Sequence, residues 1–418
     1  MKPDGKRVPV PPWPPPERIL PSHLVRGALS VVVFGPGHGE AIVVVLPNGE
    51  VGVVDGCREP TVLDPVKEFL DELARQPERK GQPLRLAFVC MTHPHEDHYR
   101  GLWRLLEAYR GRVDHVWRTP DVGDRYVNMW LQLLKHTHRS PQLTPDPDDV
   151  EGLTRLVTEM RLACQKYGAR LRQLQQGMEL LKGEVQGAQL HISACGPCAT
   201  DLETATITLL GTLKSLAGRQ KPAHFDPNAV SGALVVRWGK AGVLLGGDLL
   251  CGERHFRGWD EVHADIEDPI QVIKAAHHAS EWAHHEVLLS RLKPDLTIVT
   301  PFLQAKADQP PRPDRIAELA KSSVVAITAE PSWHSSAVGP QALYVPPKPP
   351  AATGVTSGGF PNNALTQAAT AGEVDAHNAV AVSLDASGHI VGFVLAGKAN
   401  VYEPPVLASK PVSRRAAP

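Results

Sequence analysis

Apolar residues recur along this chain in two ways, as short continuous β-branched runs and at every third or fourth position in longer segments. Leu29–Val33 and Ala41–Leu46 are runs of the first kind, separated by Gly35, Pro36, Gly37 and Gly39. Pro47-Asn48-Gly49 then predicts a hairpin turn into a third strand, Val51–Val54, which ends at Asp55-Gly56. Asp64-Pro65 predicts a helix start, with Asp as N-cap and Pro at the first helical position. Val66, Phe69, Leu70 and Leu73 then share one helical face. Leu84–Met91 reads as a buried strand, Leu102, Leu105, Leu106 and Tyr109 as the next amphipathic helix, and His115–Trp117 as the strand after it. Residues ~124–170 are more polar and helical, around Met129–Leu134 and Leu153–Cys164, and read as an insertion or cap. Strands resume at Ala188–Ile192, Ala233–Trp238, Gly242–Leu245, Ile270–Ala276, Leu296–Thr300 and Val324–Thr328. Ala379–Leu384 and Ile390–Leu395, about Ser387-Gly388, read as a final hairpin. The pattern predicts an α/β chain in three parts. These are a Pro-rich extension over 1–28, a main domain over 29–345, and a Pro/Gly/Ala-rich loop, hairpin and tail over 346–418.

Composition narrows this. A chain of 418 residues can bury a large core. Lys+Arg is 44 and Asp+Glu 45, so the net charge of −1 disfavours binding nucleic acid by bulk charge. No stretch reaches the ~20 apolar residues of a membrane span, and Met1–Ser22 has no apolar core of a signal peptide, so a cytoplasmic chain with no membrane partner is expected. The six cysteines are irregularly spaced and do not read as a disulfide framework.

The 19 histidines carry the candidate chemistry. His93-Pro94-His95-Glu96-Asp97-His98 follows an apolar strand directly, and the turn after a strand brings alternating side chains to one point. His93 and His95 can grip one metal while Asp97 and His98 turn toward a neighbouring position. Imidazole and carboxylate ligands without thiolate suit Zn, Mn or Fe in an open site rather than a structural zinc. Two further strand ends add to this. Val243–Leu245 delivers Gly246-Gly247-Asp248, whose carboxylate can bridge two cations. Lys274-Ala275-Ala276 delivers His277-His278, of which one suits a ligand and the other a substrate-facing or outer role.

This order, strand–HxHxDH, then GGD, then HHxS, resembles the metallo-β-lactamase fold superfamily. Within it the chain resembles the hydrolase domain of ComEC-type competence proteins and their stand-alone relatives. Leu29–Ala41 is similar to their opening strand and Gly-rich turn, Pro47–Gly56 to their "PNG…DGG" hairpin with Cys57 for the last Gly, and Asn228–Arg237 to their Asn- and Ser-led strand. Lys274–Ser280 resembles "KVxHHGS", with Ala279 where that family has Gly. The resemblance covers roughly residues 29–345 and implies an αββα sandwich with a helical insertion and two divalent metal ions. It implies His93 and His95 on the first metal, Asp97, His98 and His277 on the second, Asp248 bridging, and His278 facing substrate. The family has another first-metal ligand between HxHxDH and the bridging Asp. His115, His136, His138 and His191 lie in that window, and none sits in a clear motif.

The implied activity is metal-dependent hydrolysis of phosphodiesters, by a nuclease or phosphodiesterase, with Asp97 and Asp248 orienting the attacking water and His278 either giving a proton to the leaving oxygen or holding a phosphate oxygen. Phosphate-ester or nucleic-acid substrates call for basic residues at the cleft, for which Arg100, Arg118, Arg125 and Lys274 are candidates; Lys274 reads rather as structural. A carbonyl hydrolase such as a lactonase, β-lactamase or thioesterase fits the same metal core. A non-catalytic scaffold fits the incomplete first site, though the intact HxHxDH, Asp248 and His277 oppose it. Cys195-Gly196-Pro197-Cys198 lacks the Trp and helix of a redox dithiol and reads as a chance pair. His284-His285 reads as a helix start, and Gly35–Gly39 as a strand turn whose His38 borders the site rather than as a phosphate loop.

Overall fold

The computed structural model describes residues 8–402 apart from 10, 13, 36, 38, 58–63, 121–146, 218–225, 253–254, 303–309 and 332–376. Its frame is a pair of eight-stranded mixed sheets. The first holds β1 (Leu29–Phe34), β2 (Ala41–Val45), β3 (Val51–Val54), β4 (Leu86–Met91), β5 (Val113–Arg118), β6 (Arg170–Gln173), β14 (Ala379–Leu384) and β15 (Ile390–Ala396), in the order β15-β14-β1-β2-β3-β4-β5-β6. The second holds β7 (Met178–Val185), β8 (Ala188–Gly196), β9 (Ala233–Trp238), β10 (Ala241–Leu245), β11 (Val272–Lys274), β12 (Leu296–Val299), β13 (Val324–Ile327) and β16 (Asn400–Tyr402), in the order β16-β13-β12-β11-β10-β9-β8-β7. Strands β3 to β6 run parallel to one another, as do β10 to β13.

The alternation of side chains along a strand explains the layering. In β1, Val31 and Val33 point to the layer between the sheets, where they meet Leu234, Val236, Val243 and Ile298 of the second sheet. Val32 and Phe34, the alternate residues, point outward. A strand buried on both faces reads as a continuous apolar run, which is why these segments were visible. The outward face of the first sheet is covered by α1 (Pro65–Ala74), α3 (Leu102–Ala108) and α4 (Pro147–Gln165), through Phe69, Leu70, Leu105, Leu153 and Leu156. The second sheet is covered by α6 (Trp259–Val262), α7 (Glu286–Leu292) and α8 (Pro313–Leu319), while α5 (Ala199–Ala217) follows β8. The architecture is the expected αββα sandwich.

Several elements form as the pattern predicts. Asp64 caps α1, its carboxylate accepting the Lys67 N–H at 3.0 Å, with Pro65 at the first helical position. His285 caps α7, accepting the Leu288 N–H at 3.1 Å. Others differ. The described part of the expected insertion, α4, packs beside α3 and leads into β6 parallel to β5, while its earlier part, with Met129–Leu134, lies outside the described residues. β7 and β6 escape the pattern because their residues are mostly exposed. The final hairpin is no appendage: β14 pairs with β1 from Leu29↔Leu384 to Phe34↔Ala379, and β16 pairs with β13. Among the described residues, no helix is long and apolar enough to cross a membrane.

Candidate metal centre

The chemistry-bearing segments lie at the ends of strands. β4 runs into Thr92, His93 and His95, followed by α2 (Glu96–Tyr99), which carries Asp97 and His98. β10 ends at Asp248, β11 at the 276–279 turn, β3 at Asp55 and β12 at Thr300. Carboxyl ends of parallel strands are where an open α/β sheet leaves a crevice.

Two glycines bring these ends together. Gly39 has φ +82°, and a Cβ there would lie 1.9 Å from the Asp97 carbonyl oxygen. The Glu40 N–H donates to that same oxygen at 3.2 Å, so the β1–β2 loop clamps the start of α2. Gly247 has φ +53°, and its Cβ would meet the Gly232 carbonyl at 2.4 Å, which lets the Asp248 loop lie against the start of β9.

Asp97, His98, Asp248 and His278 each place one ligand atom within 4.8 Å of the others. The His98 Nε2 lies 3.3 Å from Asp248 Oδ1 and 3.6 Å from Asp97 Oδ2. The His278 Nε2 lies 3.2 Å from Asp97 Oδ2 and 3.8 Å from Asp248 Oδ2. The His93 Nε2 lies 3.9 Å from Asp248 Oδ2. All but Asp97 are buried.

A polar group stands behind each ring, at Nδ1. The His98 Nδ1 lies 2.8 Å from Asp55 Oδ2, a carboxylate that also accepts the Thr92 N–H at 2.8 Å and the Thr92 hydroxyl at 2.6 Å. A carboxylate so placed accepts, so the His98 Nδ1 donates. The His93 Nδ1 lies between two hydroxyls, Thr92 Oγ1 at 3.0 Å, whose proton goes to Asp55, and Ser231 Oγ at 3.1 Å, which also accepts the Asp248 N–H at 2.9 Å. The His278 Nδ1 faces the Thr300 carbonyl at 3.0 Å, which only accepts. The Nε2 atoms of all three rings therefore face the carboxylates, that of His278 at hydrogen-bond distance from Asp97 Oδ2, 3.2 Å away. The His93 Nε2, His98 Nε2 and Asp248 Oδ1 are buried with no hydrogen-bond partner. Acceptors facing acceptors in a buried space are costly unless a proton or a metal cation lies between them. Three imidazole nitrogens and two carboxylates without thiolate fit a divalent cation of the Zn, Mn or Fe type.

Charges follow the same geometry. Burial, with the neighbouring imidazoles, holds His93 well below the usual histidine range. Burial alone would lower His98 too, but Asp248, Asp97 and Asp55 outweigh it and raise that ring well above its ordinary value. Burial would raise Asp248, yet His98, His278 and His277 hold its carboxyl well below the usual range, and Asp97 is held down in the same way by His98 and His278.

The two adjacent histidines, expected as ligand (His277) and substrate-facing residue (His278), differ in their surroundings. His278 joins the cluster, whereas the His277 Nε2 is 3.9 Å from Asp248 Oδ2 and already bonded to the Asn228 amide at 3.1 Å. Its Nδ1 bonds the Ser280 hydroxyl at 2.7 Å, so both nitrogens of His277 are satisfied by protein. The cause is the backbone: His277, His278 and Ala279 have φ of 42°, 54° and 57°, a left-handed turn that tucks His278 inward against Phe302. Non-glycine residues in this region cost roughly 1–2 kcal/mol each, a strain that collects at functional sites.

His95 lies at the rim beside His93, ring centroids 4.7 Å apart, one-third exposed, with its Nε2 3.9 Å from Asp226 Oδ1. Of the four histidines weighed for the remaining first-metal position, His115 lies in the body of β5 and His191 pairs with Glu179 at 3.4 Å; neither approaches the cluster. His136 and His138 lie outside the described residues, as do His38 and Arg125. Sequence reasoning missed Asp226 and Asp55. Asp55 had a usable signal, an Asp-Gly at a strand end on the same edge of the sheet. Asp226 had none, since it sits in a short turn of no motif. Arg100 pairs with Glu96 at 2.8 Å, Arg118 is buried in β5, and Lys274 is wholly buried against Glu40, so it offers no charge to a cleft. Burial pushes Cys195 up to about 12 and Cys198 up to about 11, the reverse of a reactive dithiol.

No protein-family model matches the chain, and no curated protein matches it. Among solved structures it is similar to YhfI from Bacillus subtilis, a metallo-beta-lactamase fold protein, at 12% identity and TM-score 0.36, over 72% of this chain and 96% of that one. It is also similar to the short form of human tRNase Z (13% identity, TM-score 0.30, over 65% of this chain and 92% of that one). A third is Zn(2+)-bound PqqB from Methylobacterium extorquens (10% identity, TM-score 0.31, over 59% and 71%). At such TM-scores these likenesses add no weight; the architecture rests on the sheets and helices themselves.

Proposed function

We propose that this chain is a metal-dependent hydrolase that uses two divalent cations, Zn or Mn, and cleaves phosphodiester bonds. One observation carries the metal reading: the unpartnered Nε2 atoms of His93 and His98 and Oδ1 of Asp248 converge with the His278 Nε2 and the Asp97 carboxylate in one buried space. Asp97, His98, Asp248 and His278 would hold one cation. His93, His95 and Asp248 would hold the other, with Asp226 beside His95 as the nearest further carboxylate. A divalent cation supplies Lewis acidity and a water acidified toward neutral pH.

The chain's own residues do the rest. Asp97 is the least buried carboxylate of the cluster, so its Oδ2 orients the attacking water and takes its proton. Asp248, held ionised by three imidazoles, keeps a negative charge between the two positions. His277, a quarter exposed and braced by Asn228 and Ser280, takes the outward position first expected of His278. The phosphodiester preference rests on the Asn-led β9 and the HHxS end. With Lys274 and Arg100 both paired inside the protein, the metals supply the positive charge that meets a phosphate.

The test is metal content per chain, together with hydrolysis of a bis-aryl phosphodiester, single- and double-stranded nucleic acid, and a lactone, with Mn and with Zn. Asp97→Ala and Asp248→Ala should each lower phosphodiester hydrolysis by at least ~100-fold, within the range for general-base and electrostatic groups. Less than one bound metal and unchanged activity in both variants would sink the reading. Turnover of the lactone but of no phosphodiester would move the reaction to a carbonyl centre.

A further inference from the structure

Behind the cluster lies a second, wholly buried group of charges that the hydrolysis itself does not use. Glu40, in the β1–β2 connection, is 1% exposed, and Lys274, the last residue of β11, is 0% exposed. The Lys274 ammonium contacts Glu40 Oε2 directly. That same carboxylate oxygen accepts the Thr300 hydroxyl at 2.8 Å. Thr300 in turn faces the His278 Nδ1 with both its carbonyl, at 3.0 Å, and its hydroxyl oxygen, at 3.1 Å. On its other side Glu40 shares a tight space with Asp55 and His98, one ligand atom of each lying within 4.8 Å of the others.

The order of donors is forced. Lys274 has only protons to give, so the Glu40 carboxylate accepts. The Thr300 hydroxyl has one proton and gives it to Glu40, which leaves its oxygen as an acceptor toward His278. Both Thr300 oxygens then accept at the His278 Nδ1, which carries the ring proton and leaves the Nε2 lone pair for the side of Asp97 and Asp248. Without Glu40 the Thr300 hydroxyl could turn and donate to Nδ1, competing with the carbonyl beside it and moving the ring proton to Nε2. Three segments far apart in sequence, residues 40, 274 and 300, thus meet to set one tautomer.

We propose that Glu40 is a positioning residue for the metal centre: paired with Lys274, it holds the Thr300 hydroxyl as an acceptor and so keeps the His278 Nε2 available. This rests on the metal reading of the site. A buried ion pair by itself is poor evidence for stability, because its desolvation offsets its attraction. Its retention here is explained by what it does to His278.

The experiment compares the full-length protein with Glu40→Leu/Lys274→Met, which removes both charges and the acceptor of the Thr300 hydroxyl, and with Thr300→Val, which removes the hydroxyl and keeps the carbonyl. Neither leaves an unpaired buried charge. Two quantities are read: the affinity for Zn by competition with a chromogenic chelator, and the His278 ring tautomer in the metal-free protein by nitrogen-15 NMR. The expected result is that both variants stay folded by circular dichroism and that Glu40→Leu/Lys274→Met binds the more weakly held Zn ~10–100-fold less tightly, the range seen for outer partners of metal ligands. The metal-free His278 signal should shift from the Nδ1–H form toward a mixture in Glu40→Leu/Lys274→Met and stay in the Nδ1–H form in Thr300→Val, which has no hydroxyl to donate. Wild-type tautomer and Zn affinity in Glu40→Leu/Lys274→Met would overturn the proposal and leave the pair as a structural element. If the wild-type protein itself binds no Zn, the metal reading fails, and the tautomer measurement still decides whether Glu40 governs His278.

Discussion

His277 and His278 are chemically identical neighbours, and what separates them is which atoms stand behind each ring. His277 has an amide and a hydroxyl on its two nitrogens; His278 has a carbonyl behind Nδ1 and two carboxylates before Nε2. His278→Ala should therefore lose a metal equivalent, with a larger affinity loss than the ~10–100-fold typical of outer residues, while His277→Ala should keep its metals and change mainly turnover. Inductively coupled plasma analysis beside kinetics separates the two; equal metal loss in both would contradict the assignment. Gly39 is the other residue on which the site turns. A methyl there has no room beside the Asp97 carbonyl, so Gly39→Ala should displace α2, weaken metal binding, and cost about 1–3 kcal/mol of stability as overpacking does. Unaltered urea unfolding together with unaltered metal affinity would show that the clamp is dispensable.

At the scale of elements, caps and close strand approaches decide local stability. The Asp64 cap satisfies one of the free amides at the start of α1. Asp64→Ala should cost about 0.5–2 kcal/mol in urea unfolding and leave metal content unchanged, because α1 lies on the outer face of the first sheet. Gly52 in β3 sits under the Phe88 ring, where a Cβ would come within 2.0 Å, and Phe88 stacks on Trp117 with ring centroids 4.0 Å apart. Gly52→Ala has to push that stack aside and should cost at least about 1–3 kcal/mol. A melting temperature equal to wild type would mean the ring moves freely, against the packing described.

At the scale of the molecule, the two sheets depend on a stretch far along the chain. β14 and β15 add two strands beside β1, contributing Val380, Val382 and Phe393 to the layer between the sheets, and β16 covers the edge of β13. A chain ended at residue 345 would expose the open edge of β1 and leave that layer incomplete. It should express insolubly or lack the circular dichroism of the full protein. A soluble, cooperatively unfolding 1–345 chain would refute this dependence.

The continuous apolar runs and the period-three-to-four pattern sufficed for most strands and for α1 and α3, because burial of an element on both faces, or on one stripe, writes itself directly into residue type. The HxHxDH segment, Asp248 and the HH pair were legible for a similar reason: close spacing after an apolar strand is rare unless something needs it. Tertiary structure alone decided the rest. β6 and β7 carry exposed faces, so no apolar rhythm marked them. The choice of His278 over His277 depends on three consecutive left-handed residues, whose conformation no residue type here announces. Asp55, Asp226, Thr300 and Glu40 act through partners 43, 131, 22 and 234 positions away, namely His98, His95, His278 and Lys274. Such contacts are set by which strand ends meet, and a linear pattern does not carry that information.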